Sequence, residues 1–128
     1  MSVLITGAGL IGCQSAALLA ARGETVVMLD KSPHPAHMAS VLPLDAVTVE
    51  TGDIADRTGM LALMKRHRIT KVLHTAAALS MSIRRDPALA ADVNFMGTVN
   101  VLEAARMLNL SRKMTELREA RSADTISP

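Results

Sequence analysis

Gly7, Gly9 and Gly12 lie in the run Thr6-Gly7-Ala8-Gly9-Leu10-Ile11-Gly12, between a short apolar stretch and a longer one rich in Ala and Leu. Glycine lets a turn close tightly and lets backbone N–H groups approach a pyrophosphate. The helix that follows then turns its positive end toward that anion. A tight turn with no ligand uses the same residues, so the second feature matters. Asp30 ends the next apolar run, Thr25 to Leu29. A carboxylate there accepts hydrogen bonds from both hydroxyls of an adenosine ribose and repels a 2′-phosphate. Glycine turn and carboxylate together predict a dinucleotide site that takes NAD in preference to NADP. Lys31, beside Asp30, tempers that preference. A solvated strand end is the other role open to Asp30.

The elements that position these groups follow from the apolar pattern. Val3-Leu4-Ile5 reads as a strand ending at Thr6, and a helix follows from about Leu10 to Arg22, stopped by Gly23. Thr25 to Leu29 is the second strand. Lys31 to Asp45 contains Pro33, Pro35 and Pro43 and reads as an irregular connection. Ala46 to Glu50 is a short third strand. Asp56 is placed to cap a helix running through about Arg68, with Leu61, Leu63 and Met64 available to cover a sheet. Thr70 to His74 is a fourth strand. After a loop ending at Asp86-Pro87, a long helix runs from about Ala88 to Leu108, with Leu89, Val93, Met96 and Asn100 on one stripe.

Strands alternating with helices imply right-handed crossovers and a parallel sheet. The expected fold is α/β, a Rossmann-like doubly wound sheet of strand order 3-2-1-4, cut short after about four strands. Residues 1–110 form the expected dinucleotide-binding domain. Residues 111–128 read as a polar tail, with a short surface helix through about Ala123.

Composition removes several classes of function. Phe95 is the only aromatic among 128 residues; Tyr and Trp are absent. No phenol can serve as acid, base or nucleophile, and no stacking platform for single-stranded nucleic acid can form. A net charge of +2 is too small to argue for a nucleic-acid partner. The lone Cys13 forms no internal disulfide, which points to a reducing, cytoplasmic compartment. Residues 1–21 carry no charge, yet no Lys or Arg precedes them and three glycines interrupt them. They read as strand, turn and buried helix, so no membrane role is expected.

Five blocks recur here in the order and spacing of a known family. They are the Gly7/Gly9/Gly12 opening; Gly52-Asp53-Ile54; His74-Thr75-Ala76-Ala77; Asp86-Pro87; and Asp92-Val93-Asn94-Phe95-Met96-Gly97-Thr98-Val99-Asn100-Val101-Leu102-Glu103-Ala104-Ala105. Over about residues 2–110 the chain resembles the NAD-dependent epimerase/dehydratase family, the extended short-chain dehydrogenases/reductases. The resemblance implies that Gly7, Gly9, Leu10, Ile11 and Gly12 hold the pyrophosphate and Asp30, with Lys31 beside it, the adenosine ribose. It further implies that Asp53 and Ile54 border the adenine, with the Asp53 carboxylate facing the exocyclic amine. Ala76 and Ala77 would line the cofactor, and Asn94 would approach it from the long helix. Each has a second reading: Asp53 as a turn former, Ala76 and Ala77 as packing residues, Asn94 as a helix-to-loop hydrogen bond.

The same resemblance exposes a departure. In the family a fifth strand with a serine or threonine follows, then a Tyr-x-x-x-Lys pair whose tyrosine is the acid/base. This sequence has no tyrosine, so no catalytic residue is assigned. The expectation is a binding module resembling part of a sugar-nucleotide epimerase or dehydratase. An oxidoreductase or isomerase completed by a longer frame or a partner chain, and a dinucleotide sensor, are the alternatives. An uncovered fourth-strand edge further predicts self-association. No metal site is expected, because His34 and His37 have no third ligand nearby. His74 reads as a core histidine, and Arg84 and Arg85 as a solvated loop.

Overall fold

Val3, Leu4 and Ile5 are almost fully buried, and so are Val26 to Leu29. Unbroken apolar runs of this kind belong to strands covered on both faces, as in parallel sheets. In the computed structural model, which describes residues 2–108, they form β1 (Ser2–Thr6) and β2 (Thr25–Asp30). With β3 (Thr48–Thr51) and β4 (Ile69–His74) they build one parallel sheet of order β3-β2-β1-β4. The architecture is α/β, Rossmann-like and doubly wound, as the sequence predicts. The predicted tail and its short helix lie outside the described residues.

The period-two alternation of the strands sorts the core into two layers. Leu4, Val27 and Leu29 point to one side, where they meet Ile54, Met60, Leu63, Met64, Val101 and Ala104. Ile5, Val26 and Met28 point to the other, against Cys13, Ala16, Met38 and Leu42. The first layer belongs to α3 (Arg57–Arg66) and the last described helix, which ends at Met107; the second to α1 (Leu10–Ala21) and α2 (Pro35–Ala39). Asp56 caps α3, its Oδ1 accepting from the Gly59 amide at 3.0 Å.

Several elements differ from the sequence reading. The Lys31 to Asp45 stretch is not irregular throughout, since α2 starts with Pro35 in its first turn and delivers Met38 to the core. A 3-10 turn at Leu44–Ala46 pushes β3 later than the expected start at Ala46. On α3 it is Met60, with Leu63 and Met64, that is buried, while Leu61 is only partly so. The loop before Asp86 contains α4 (Ser80–Arg85), so Arg84 and Arg85 end a helix.

The long helix is composite: α5 (Pro87–Ala91), a π turn (Asp92–Met96) and α6 (Gly97–Met107). Its inward stripe is Ala90, Gly97, Asn100, Val101 and Ala104, whereas Leu89 and Met96 are exposed. Choosing the stripe by side-chain size misses that small residues bring the helix close. Gly97 packs directly on Ile54, where an added Cβ would lie 2.6 Å from Cδ1. Asn100 reaches the same segment, donating Nδ2 to the Ile54 carbonyl at 2.9 Å and the Ala55 carbonyl at 3.1 Å.

Candidate functional site

The carboxyl ends of β1, β2 and β4 lie at one edge of the sheet, with Thr6 paired to Leu29 on one side and His74 on the other. Beyond them opens a cleft of about 550 Å³. Such crevices outside the carboxyl ends of parallel strands are where doubly wound folds bind ligands.

The glycine turn forms the floor of the cleft. Gly7 adopts φ +92°, a left-handed geometry that favours glycine. Its amide donates to the Leu29 carbonyl at 2.7 Å. Gly12 admits the turn at its closest point, because a Cβ there would overlap the Gly7 carbonyl oxygen. Gly9 is different. Its backbone is extended, and a Cβ on it would meet nothing within 4 Å. It faces the open cleft at the start of α1, and no side chain caps that helix. The first amides of a helix lack intrahelical acceptors, so the cleft presents uncapped donors at a positive helix end.

Asp30 stands across from this turn and is tied to it. Its Oδ2 accepts from the Ala8 amide at 2.7 Å and its Oδ1 from the Ser32 amide at 2.8 Å. Each oxygen retains a lone pair for a further donor. Lys31 leans the other way, its Nζ 3.4 Å from Asp53 Oδ2. Asp53 also accepts from the Ala55 amide at 2.9 Å through Oδ1. Gly7, Gly9, Leu10, Ile11, Gly12, Asp30, Lys31, Asp53, Ile54, Ala76 and Ala77 all line the cleft.

Asn94 does not. Both ends of its amide are engaged by Ala78, Oδ1 accepting from the amide at 2.7 Å and Nδ2 donating to the carbonyl at 3.1 Å. It therefore holds the Ala78 backbone of the cleft wall, the helix-to-loop bond that was its second reading. The cleft also takes in Leu79 and Ser82, Thr75 from the block after β4, and Leu89 and Val93, which the sequence assigns to the helix stripe and not to a site. Thr75 Oγ1 donates to the Thr6 carbonyl at 2.7 Å and sits beneath Gly12. The exposure of Leu89 has the same origin: it faces the cleft and not the core.

His74 connects these parts. Thr98 Oγ1 donates to the Asn94 carbonyl at 2.8 Å, so it accepts from His74 Nε2 at 3.1 Å. His74 Nδ1 is then unprotonated and accepts from Thr6 Oγ1 at 2.6 Å. Burial holds the imidazole below the usual histidine range, favouring this neutral tautomer. Burial first, and the Asp30 charge second, push the Cys13 thiol up; the side chain is a core filler donating weakly to the Ala8 carbonyl. Among the described residues no cluster of His, Cys, Asp or Glu has the arrangement of a metal site. No described helix is long and apolar enough to cross a membrane.

Comparison with known proteins bears on the family and the fold. The sequence profile of the NAD dependent epimerase/dehydratase family matches residues 3–117. An uncharacterised epimerase/dehydratase of Staphylococcus aureus is 38% identical over 68 residues, which span 53% of this chain and 21% of that protein. The UDP-glucose 4-epimerase of Thermus thermophilus, solved in complex with NAD, superposes with a TM-score of 0.72 at 35% identity, covering 86% of this chain and 35% of that one. An L-threonine dehydrogenase of Cupriavidus necator, in its holo form, gives a TM-score of 0.73 at 33% identity, covering 86% and 34%. The chain thus spans about a fifth of the curated relative and about a third of each solved structure.

Proposed function

This chain belongs to the NAD dependent epimerase/dehydratase family, and from that premise we propose that it binds NAD(H) in the cleft at the carboxyl ends of β1, β2 and β4. The amides of the Gly7–Gly12 turn and the α1 N-terminus receive the pyrophosphate. Asp30 accepts from the two adenosine ribose hydroxyls, and its charge favours NAD over NADP. Lys31 borders the ribose, and Asp53 and Ile54 border the adenine, the Asp53 carboxylate facing its amine. Ala76 and Ala77 form the wall under the cofactor. Asn94 serves through the Ala78 backbone that it holds.

One observation carries this reading: the Ala8–Asp30 hydrogen bond locks the glycine turn and the carboxylate into a single cleft. The donor set fits the ligand, with uncapped amides for the anion and two spare carboxylate lone pairs for a diol. When bound, the nicotinamide supplies hydride acceptance and return. The protein's own contribution is binding and orientation.

Turnover by these 128 residues alone is not part of the proposal. The resemblance assigns acid/base work to a tyrosine, and the sequence has none. The small share of the solved enzymes that the chain spans favours a second reading, in which residues from outside these 128 complete an epimerase or dehydrogenase site. Titration calorimetry separates binding of the adenosine half from binding of a whole cofactor. ADP-ribose is expected to bind within about threefold of NAD, since 1.4 kcal/mol of extra nicotinamide contact would already give tenfold. Much tighter NAD binding would contradict the half-site reading.

A further inference from the structure

Among the described residues lining the cleft, Lys31 is the one cation, and Asp30 and Asp53 are the only carboxylates. A lysine directly after Asp30 looks like a ready partner for a 2′-phosphate, which would undo the selection that Asp30 imposes. Its geometry says otherwise. The Lys31 ammonium pairs with Asp53 Oδ2 at 3.4 Å, and no ion pair joins it to Asp30 among the described residues. Asp53 is itself preset, because its Oδ1 is held by the Ala55 amide at 2.9 Å. The lysine thus comes to a fixed carboxylate.

Building on the dinucleotide reading above, we propose that Asp53 is a second specificity-determining residue: by engaging Lys31 it denies a 2′-phosphate the cleft cation that would offset the charge of Asp30. Asp30 repels the phosphate and Asp53 removes the remedy. Lys31 is 63% exposed and Asp53 35%, so solvent screens the pair and the effect is modest.

The test is the ratio of NADP⁺ to NAD⁺ affinity, measured by calorimetry on four proteins: the wild type, Asp53→Asn, Lys31→Gln and the double variant. Asparagine keeps an oxygen for the Ala55 amide and for the adenine, and taking a ratio cancels any change in adenine binding. In the wild type, Lys31→Gln is expected to move the ratio by less than about twofold, because the lysine is already engaged. Asp53→Asn frees it and raises the ratio about three- to fivefold, and Lys31→Gln in that background removes the gain. An equal effect of Lys31→Gln in both backgrounds would overturn the proposal, as would an unchanged ratio in Asp53→Asn. Absence of binding of either dinucleotide to all four proteins would overturn the reading of the cleft itself, and the proposal with it.

Discussion

The glycines of the turn have different physical reasons, and substitution separates them. An added Cβ at Gly12 overlaps the Gly7 carbonyl, whereas one at Gly9 meets open space. Gly12→Ala is therefore expected to destabilise the fold by about 2 kcal/mol or more through overpacking. Gly9→Ala should cost only about 1 kcal/mol, the ordinary penalty for alanine at an N-cap, since its methyl meets no atom. Yet Gly9→Ala should weaken binding of ADP-ribose, because its methyl occupies the approach to the amides. Denaturant melts and titrations on both variants check this. His74 offers a second handle. Burial keeps its folded pKa below the ordinary value, so between the two the unfolded chain binds the extra proton. Stability is then fully present above about pH 6.5 and declines as pH falls through that window. Glu50 is lowered chiefly by its hydrogen bond from His67 and next by Arg66, so its stabilisation is fully present above the ordinary carboxylate range and is lost only below the window in which His74 acts. Melting temperatures from pH 7 to 5 should fall in the wild type and fall less steeply in His74→Gln. Equal slopes would remove His74 as the source.

At the scale of elements, the sequence reveals most where burial leaves no choice. β1, α1 and β2 are legible because each is an apolar run bounded by a glycine or a charge, whereas β4 shows only through Ile69, Val72 and Leu73 around the exposed Thr70 and Lys71. β3 slips because it is an edge strand whose residues are mostly exposed, so no apolar run marks it. The long helix is legible in extent, but of its expected stripe only Asn100 is buried and Val93 partly so. Close approach to Ile54 selects Gly97 and Ala104 over the larger Leu89 and Met96, and the cleft itself accounts for the outward Leu89. Site residues divide likewise: those in the glycine turn and at the β2 end carry a local pattern, whereas for Asn94 a helix-to-loop bond is legible but not its partner, Ala78, 16 residues away. β4 pairs only with β1 among the described residues, and Leu73 on it is 37% exposed. Open edges invite pairing with another chain. Sedimentation velocity of the 128-residue protein should show mass rising with concentration, and Leu73→Lys should shift it toward monomer. A constant monomer mass at the highest concentrations would contradict this.

In the molecule as a whole, one ligand is proposed at one edge of a parallel sheet, and the rest of the described chain holds that edge in place. With no tyrosine in the sequence, binding is the role proposed for these residues on their own, and the cleft's donors suit the dinucleotide for which the family is named. Everything proposed depends on the glycine turn and Asp30 receiving the adenosine half of NAD together. Amide chemical-shift mapping on ¹⁵N-labelled protein, titrated with ADP-ribose, reads out those very amides. The largest saturable changes are expected on Ala8 to Cys13, Lys31, Ser32 and Asp53 to Ala55. No such changes are expected at the opposite sheet edge, near Glu24 and Arg68. Saturation that leaves the glycine turn unmoved, or changes centred on that opposite edge, would show that the ligand does not sit there.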